Sequence, residues 1–500
     1  MRAPLALPLL LAAQMACASA GQSWRAGPAG IPAERQIRWQ LASGQSAAAL
    51  QSLKDRKVAP ADALLRHLYK GVIALHAGQP ELGTRALDRA WEISQDRYTK
   101  RVGDGAQALL TGDGALPYDV GTAERVLIPF YGGLNWMARN EVREVGVEAR
   151  RMAQVLESDA GQRPEARYRG VMRYVNGVLF EVAGERNDAE VAYRNAAVLL
   201  EGRLPGDTLP PDAAHGDVVV LIEDGFVSRP EPAALDFWVN DAEVTALQSD
   251  DLGVRMSTYD RVNGRRGVQR DWRAERYRNV SLRWPQMAGV NPDAASGVVG
   301  ARATALGGAA ALDSAAQAEG AVLPATVPVE ADVISVRLSD AVRADWERDQ
   351  PRRIARALAR AAVREATAKG AGSAFEAAGD VLTGDEDKDD SAKGGKGSKK
   401  DDDEGASPGA KAAVLILAGI GLLALHVGSQ VLDQPDLRAW QVLPDRVSVA
   451  RMRLPVGEHV IEVTRDGESY SLGAVTVRPG SVTVLVKRWF PVHGAVVAQQ

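Results

Sequence analysis

The run "GDVVVLIEDG" ends in two adjacent carboxylates, Glu223 and Asp224, at a strand end where paired acids can serve general acid–base chemistry. Successive residues of a strand point to opposite faces, so the two acids cannot flank one substrate, and Asp224 with Gly225 reads as a turn. Metal chemistry needs clustered ligands. The six histidines, His67, His76, His215, His426, His459 and His493, are scattered, and no H-E-x-x-H string joins any of them. The sequence also lacks a G-x-S-x-G elbow for acyl transfer and a G-x-x-x-x-G-K-[ST] loop for phosphates. These residues predict no catalytic, cofactor or metal site, and a protein that is not an enzyme.

Charge gives no global direction either. Lys and Arg number 60 against 64 Asp and Glu, leaving a net charge of −4 over 500 residues. Any charged partner is therefore met locally. The stretch "RVNGRRGVQRDWRAERYRNVSLRW" interleaves arginines with Trp272, Tyr277 and Trp284, as a nucleic-acid surface would. Asp260, Asp271 and Glu275 offset part of that charge, and the reading is an ion-paired face with no nucleic-acid partner. A role toward envelope phosphates or glycans, or an enzyme using this middle region, stands as the alternative.

The elements that would position these residues begin with a leader. "MRAPLALPLLLAAQMACASA" has a single positive charge, an apolar stretch and small residues at Ala18 and Ala20, which predicts a signal peptide over residues 1–20. Cys17, the sole cysteine, is a candidate lipidation site, in competition with simple cleavage at the Ala-x-Ala exit. Two segments then repeat one spacing. Gly71, Gly78, Gly83, Leu87 and Ala90 recur as Gly177, Gly184, Ala189, Tyr193 and Ala196. Small residues that let paired helices approach, alternating with large ones that fill the gaps, are similar to tetratricopeptide (TPR) units. A weaker copy starts at Trp39, and "GGLNWMARNEVREVGVEARRMAQVL" keeps the helical period without the turn glycine. Residues 30–203 are therefore expected to form a TPR-like α-solenoid of about four helix pairs, with Tyr69, Trp136 and Tyr174 lining a partner-binding groove.

Residues 204–379 read as a mixed α/β region, with 286–326 mobile by composition. "VSLRW" and "DVISVRL" are expected strands there, and Arg352, Arg356, Arg360 and Arg364 form one helical stripe. Residues 380–408, in which acidic and basic blocks alternate with Gly and Ser, are expected to be a disordered linker. The apolar helix 409–430 contains "AAVLILAGIGLLALHVG", residues 412–428, which at 17 residues is at the lower limit for a membrane span and reads as a buried helix, with membrane attachment as the alternative. Residues 431–491 are expected to be a small antiparallel β module, with a hairpin at Asp466-Gly467 and a turn at Pro479-Gly480. The fold class is α+β.

The TPR-like helices, the strand "DVVVLIEDG" and the string "DLRAWQVLPDRVSVARMRLPVGEH" together resemble a family of proteobacterial cell-envelope lipoproteins with N-terminal TPR-like helices. The most specific match is an Asp-x-Arg-x-Trp-x-x-Leu-Pro motif, here Asp436, Arg438, Trp440, Leu443 and Pro444. The resemblance implies an exported protein, periplasmic or at the outer membrane, and carries no enzymatic activity. The expected function is a scaffold or adaptor that binds an envelope protein or peptide through the helical groove.

Overall fold

The computed structural model describes residues 33–99, 116–239, 278–306, 328–350 and 435–490, apart from single positions within those ranges, together with residues 257 and 353. The leader, Cys17, the charged linker 380–408, the apolar helix 409–430 and all but Arg353 of the arginine-stripe helix lie outside the described residues. Helical and strand segments are both extensive, so the chain is α+β.

Helices come in sequential pairs: α1 (Ala33–Ala42) with α2 (Ser46–Lys54), α3 (Ala63–His76) with α4 (Pro80–Thr99), α5 (Thr122–Ala138) with α6 (Val142–Glu157), and α7 (Ala166–Val182) with α8 (Arg186–Leu199). Each pair turns through a left-handed residue, Gly44, Gly78, Asn140 and Gly184, with φ of 70°, 66°, 60° and 80°. The following residue, Gln45, Gln79, Glu141 or Glu185, donates its backbone N–H to the carbonyl five residues back, at 2.7, 2.9, 3.1 and 2.9 Å. This closes the first helix in a Schellman turn and begins the second in one step. The repeated small residues mark close approaches between paired helices. A Cβ on Gly177 would sit 2.6 Å from the Tyr193 ring, and one on Gly71 would collide with the equivalent Leu87.

Among the described residues three sheets follow. Strands β1 (His215–Asp224), β6 (Val333–Arg337), β7 (Arg446–Pro455) and β10 (Val482–Trp489) form one in the order β10-β1-β7-β6, with β1 and β10 parallel and the other pairs antiparallel. β4 (Val299–Ala305), β5 (Val329–Glu330), β8 (Gly457–Arg465) and β9 (Glu468–Val477) form a second antiparallel sheet in the order β5-β4-β8-β9. β2 (Pro230–Val239) and β3 (Arg278–Met287) pair with each other. β1 explains the layering. Its Val219 and Leu221 join the core with the helices, while Val218, Val220 and Ile222 join a second core with Ala301, Ala303, Ile461 and Val463 of the outer sheet. The continuous apolar run is thus a strand covered on both faces, and each buried aliphatic side chain contributes roughly 1.5–3 kcal/mol.

Two expectations are corrected here. The C-terminal strands do not make a module of their own: β7 lies between β1 and β6, β10 flanks β1, and β8 pairs with β4, because β1 and β4 bury their apolar faces only when these strands cover them. Part of the stretch 286–326, expected to be mobile, is strand β4, whose alternating Val299, Ala301 and Ala303 are buried. The hairpin at Asp466-Gly467 and the turn at Pro479-Gly480 are where expected, with φ of 51°, 85° and, at Gly480, 62°.

Candidate functional site

The described residues concentrate buried charge where the helices meet the first sheet. Glu223 faces the helices and is fully buried. Tyr131 of α5 donates its hydroxyl to Oε1, Arg488 of β10 places Nη1 3.4 Å from Oε2, and His76 at the end of α3 places Nε2 3.2 Å from the same oxygen. Burial alone would raise this carboxyl, but Arg488, then His76 and Tyr131, favour the anion and bring its pKa down to about 2. Asp224 points to the opposite side, where Arg446 Nη2 lies at 2.9 Å and Arg465 Nη2 at 3.3 Å. Burial raises its pKa against the pull of Arg465 and Arg446. The two acids, adjacent in sequence, therefore serve different layers, as strand alternation requires.

A second cluster joins α7 and α8 to the sheet. Arg451, 1% exposed at its side chain, bridges Asp217 of β1 and Glu181 of α7, and its Nη1 also donates to the Tyr193 hydroxyl at 3.1 Å. Arg453 adds Nε to Asp217 at 3.0 Å. A charged pair this deep holds register only when both partners remain, because either alone would be a buried unpaired charge.

The Asp-x-Arg-x-Trp segment supplies the third. Arg438 donates to Asp436 and, at 2.6 Å, to Asp62 just before α3, and Nη2 reaches the Leu116 carbonyl at 2.8 Å. These acceptors hold the guanidinium firmly protonated, against the opposing effect of burial. Tyr69 donates its hydroxyl to the Ala439 carbonyl at 3.1 Å and accepts the Gln441 N–H at 3.2 Å. Trp440 is fully buried, with its ring 6.0 Å from that of Tyr131. The Gly121 N–H donates to Glu124 at 3.0 Å, and the Trp440 N–H also favours its anion, but burial nonetheless lifts this carboxyl to about 7. Leu443 and Pro444 are buried as well, and the Leu443 carbonyl accepts from Val227 at 3.0 Å.

This geometry corrects the expected groove. Tyr69 and Tyr174 are fully buried, because the face they occupy is covered by the chain itself: Tyr69 by residues 439–441, and Tyr174 by the Pro205 carbonyl at 3.0 Å and the Tyr193 ring. Trp136 is half-buried under Arg139, whose guanidinium lies 4.4 Å from the ring centroid. The three do not line one surface. Asp62, His76, Tyr131 and Arg488 build the clusters, and the sequence alone assigns none of them a site role. Their only sequence signal is charged or polar residues inside apolar stretches, such as Arg451 and Arg453 within β7. A cleft of about 330 Å³ opens beside α7 and β6, lined by Arg167, Tyr168, Ser335, Arg337, Asp340 and Arg446. Among the described residues no three His, Cys, Asp or Glu side chains converge as metal ligands. The chain matches no protein-family model, no curated protein and no solved structure.

Proposed function

We propose that this protein is a non-enzymatic scaffold or adaptor of the cell envelope, in which a TPR-like α-solenoid clasps residues 435–445 of its own chain and thereby fixes the β layers to its inner face. The observation that carries the reading is the clasp itself: Arg438 on Asp62, Tyr69 on the backbone of Ala439 and Gln441, and Trp440 on Tyr131. Such a face recognises an extended segment by shape and hydrogen bonds, the mode by which helical repeats bind peptides. With that face filled in cis, the partner, an envelope protein or peptide, meets the outer helices, where Val142 of α6 and Val191 and Val198 of α8 are exposed at 44, 45 and 80%.

A paired acid–base reading through Glu223 and Asp224 would need both acids in one pocket, whereas they lie on opposite faces of β1. The test is photo-crosslinking in intact cells from a reactive residue at Val191 or Val198, with Arg203 as an exposed control. One envelope protein captured from the first two positions and not from the third is expected. The same background from all three would remove the adaptor reading.

A further inference from the structure

The helix–sheet interface holds more positive charge than its own carboxylates meet. Arg38 of α1 is 8% exposed at its side chain. Its Nη2 is held by Asp293, but its Nη1 is buried with no acceptor. Arg488 gives Nη1 to Glu223 and Nη2 to the carbonyls of Gly225 and Val442, while its Nε is buried with no acceptor. Both guanidiniums lie over one ring: that of Arg38 is 4.6 Å and that of Arg488 5.5 Å from the Phe226 centroid. Arg229, three residues beyond Phe226, is half-buried, and among the described residues its guanidinium has neither a hydrogen bond nor an ion pair. It is close enough to act on Arg38: burial lowers the Arg38 pKa, Asp293 and Tyr69 oppose this, and Arg229 and Arg488 lower it further. Two buried guanidiniums, Arg38 and Arg488, thus meet Asp293 and Glu223 one to one with donors left over, and Arg229 adds a third positive charge near Arg38, in a setting where an unmet donor or charge is costly.

We propose that this cluster is an oxyanion site, in which one phosphate or carboxylate group accepts from Arg38 Nη1 and Arg488 Nε and pairs with Arg229. Guanidinium forks suit such oxygens, and Phe226 gives the two buried forks a common platform. An oxyanion there supplies the missing negative charge and the missing acceptors together. The inference is independent of the adaptor reading, since it concerns a small anion and a different set of residues.

The experiment uses the full chain, titrated with sodium phosphate, sodium acetate or sodium chloride at equal pH and ionic strength, followed by calorimetry and thermal unfolding. Phosphate or acetate should bind saturably and raise the Tm above the chloride value, and the stronger of the two identifies the group the site prefers. Three indistinguishable salts would overturn the proposal without any mutant. Arg229→Gln should weaken binding by at least about tenfold, while its Tm in chloride stays level or rises because a like charge is gone. Arg203→Gln, at an exposed pair with Glu201, should bind as the wild type does. Undiminished binding by Arg229→Gln would also overturn the assignment.

Discussion

Glu223 and Glu124 are both buried carboxyls, and their surroundings drive them in opposite directions. Glu223 has Arg488, His76 and Tyr131 around it and is held at about 2 against a usual 4.5, so its contribution is present above pH 4.5 and fades as pH falls toward 2. Glu223→Gln should cost about 3–5 kcal/mol at pH 7, because Arg488 is left buried without its counter-charge, and the variant should show a shallower acid limb in urea unfolding curves. Glu124 is lifted to about 7, first by burial and then by Asp345, which outweigh the N–H groups of Gly121 and Trp440. The folded state therefore holds its proton more tightly than the unfolded one, and stability falls as pH rises from 4.5 through 7. Glu124→Gln keeps an acceptor for the Gly121 N–H and removes the ionisation. It should match the wild type near pH 4.5 and exceed it by roughly 2–3 kcal/mol at pH 8, measured by denaturant midpoints across that range. An unchanged pH profile would show that Glu124 is not proton-loaded in the fold.

At the scale of elements, the helix pairs were legible because their geometry demands particular residues. A left-handed turn favours glycine, and a close approach excludes a Cβ, so Gly71, Gly78, Gly177 and Gly184 recur at one spacing. The third pair lacked that signal because Asn140 takes the left-handed turn, at φ 60°. Asn140→Gly should be neutral within about 0.5 kcal/mol, whereas Asn140→Val should cost about 1–2 kcal/mol by forcing a β-branched residue into that region. The same pairing predicts that Ala189→Leu, at a buried contact, costs roughly 1–3 kcal/mol by overpacking, while the exposed Glu190→Leu costs little. Equal losses in thermal unfolding would contradict the packing. The candidate site was far less legible. Alternation along β1 separates Glu223 from Asp224, but Tyr131 and Arg488 reach Glu223 across 92 and 265 positions of sequence, and no local pattern encodes that.

For the whole molecule, the decisive fact is how far apart in sequence its neighbours are. Arg438 pairs with Asp62 across 376 positions, with both side chains 2% exposed, and β7 takes ladder bonds from β1 on one side and β6 on the other. The described residues before position 350 and those of 435–490 therefore share one sheet and one set of buried ion pairs and must occupy one compartment. The apolar run 412–428 lies outside the described residues, and the described segments on either side of it are joined through that sheet. One crossing would leave β1 and β4 without the strands that cover their apolar faces. Sequence alone weighed this run by its length; the sheet register decides the topology of its flanks. Single cysteines at Glu190 on α8 and Glu468 on β9, both exposed, should react with a membrane-impermeant maleimide in the same step of cell opening, with the wild-type chain and its Cys17 as baseline. Glu468→Cys labelling only after the inner membrane is lysed, while Glu190→Cys labels before, would place the two halves on opposite sides of a bilayer and break the shared sheet on which the architecture depends.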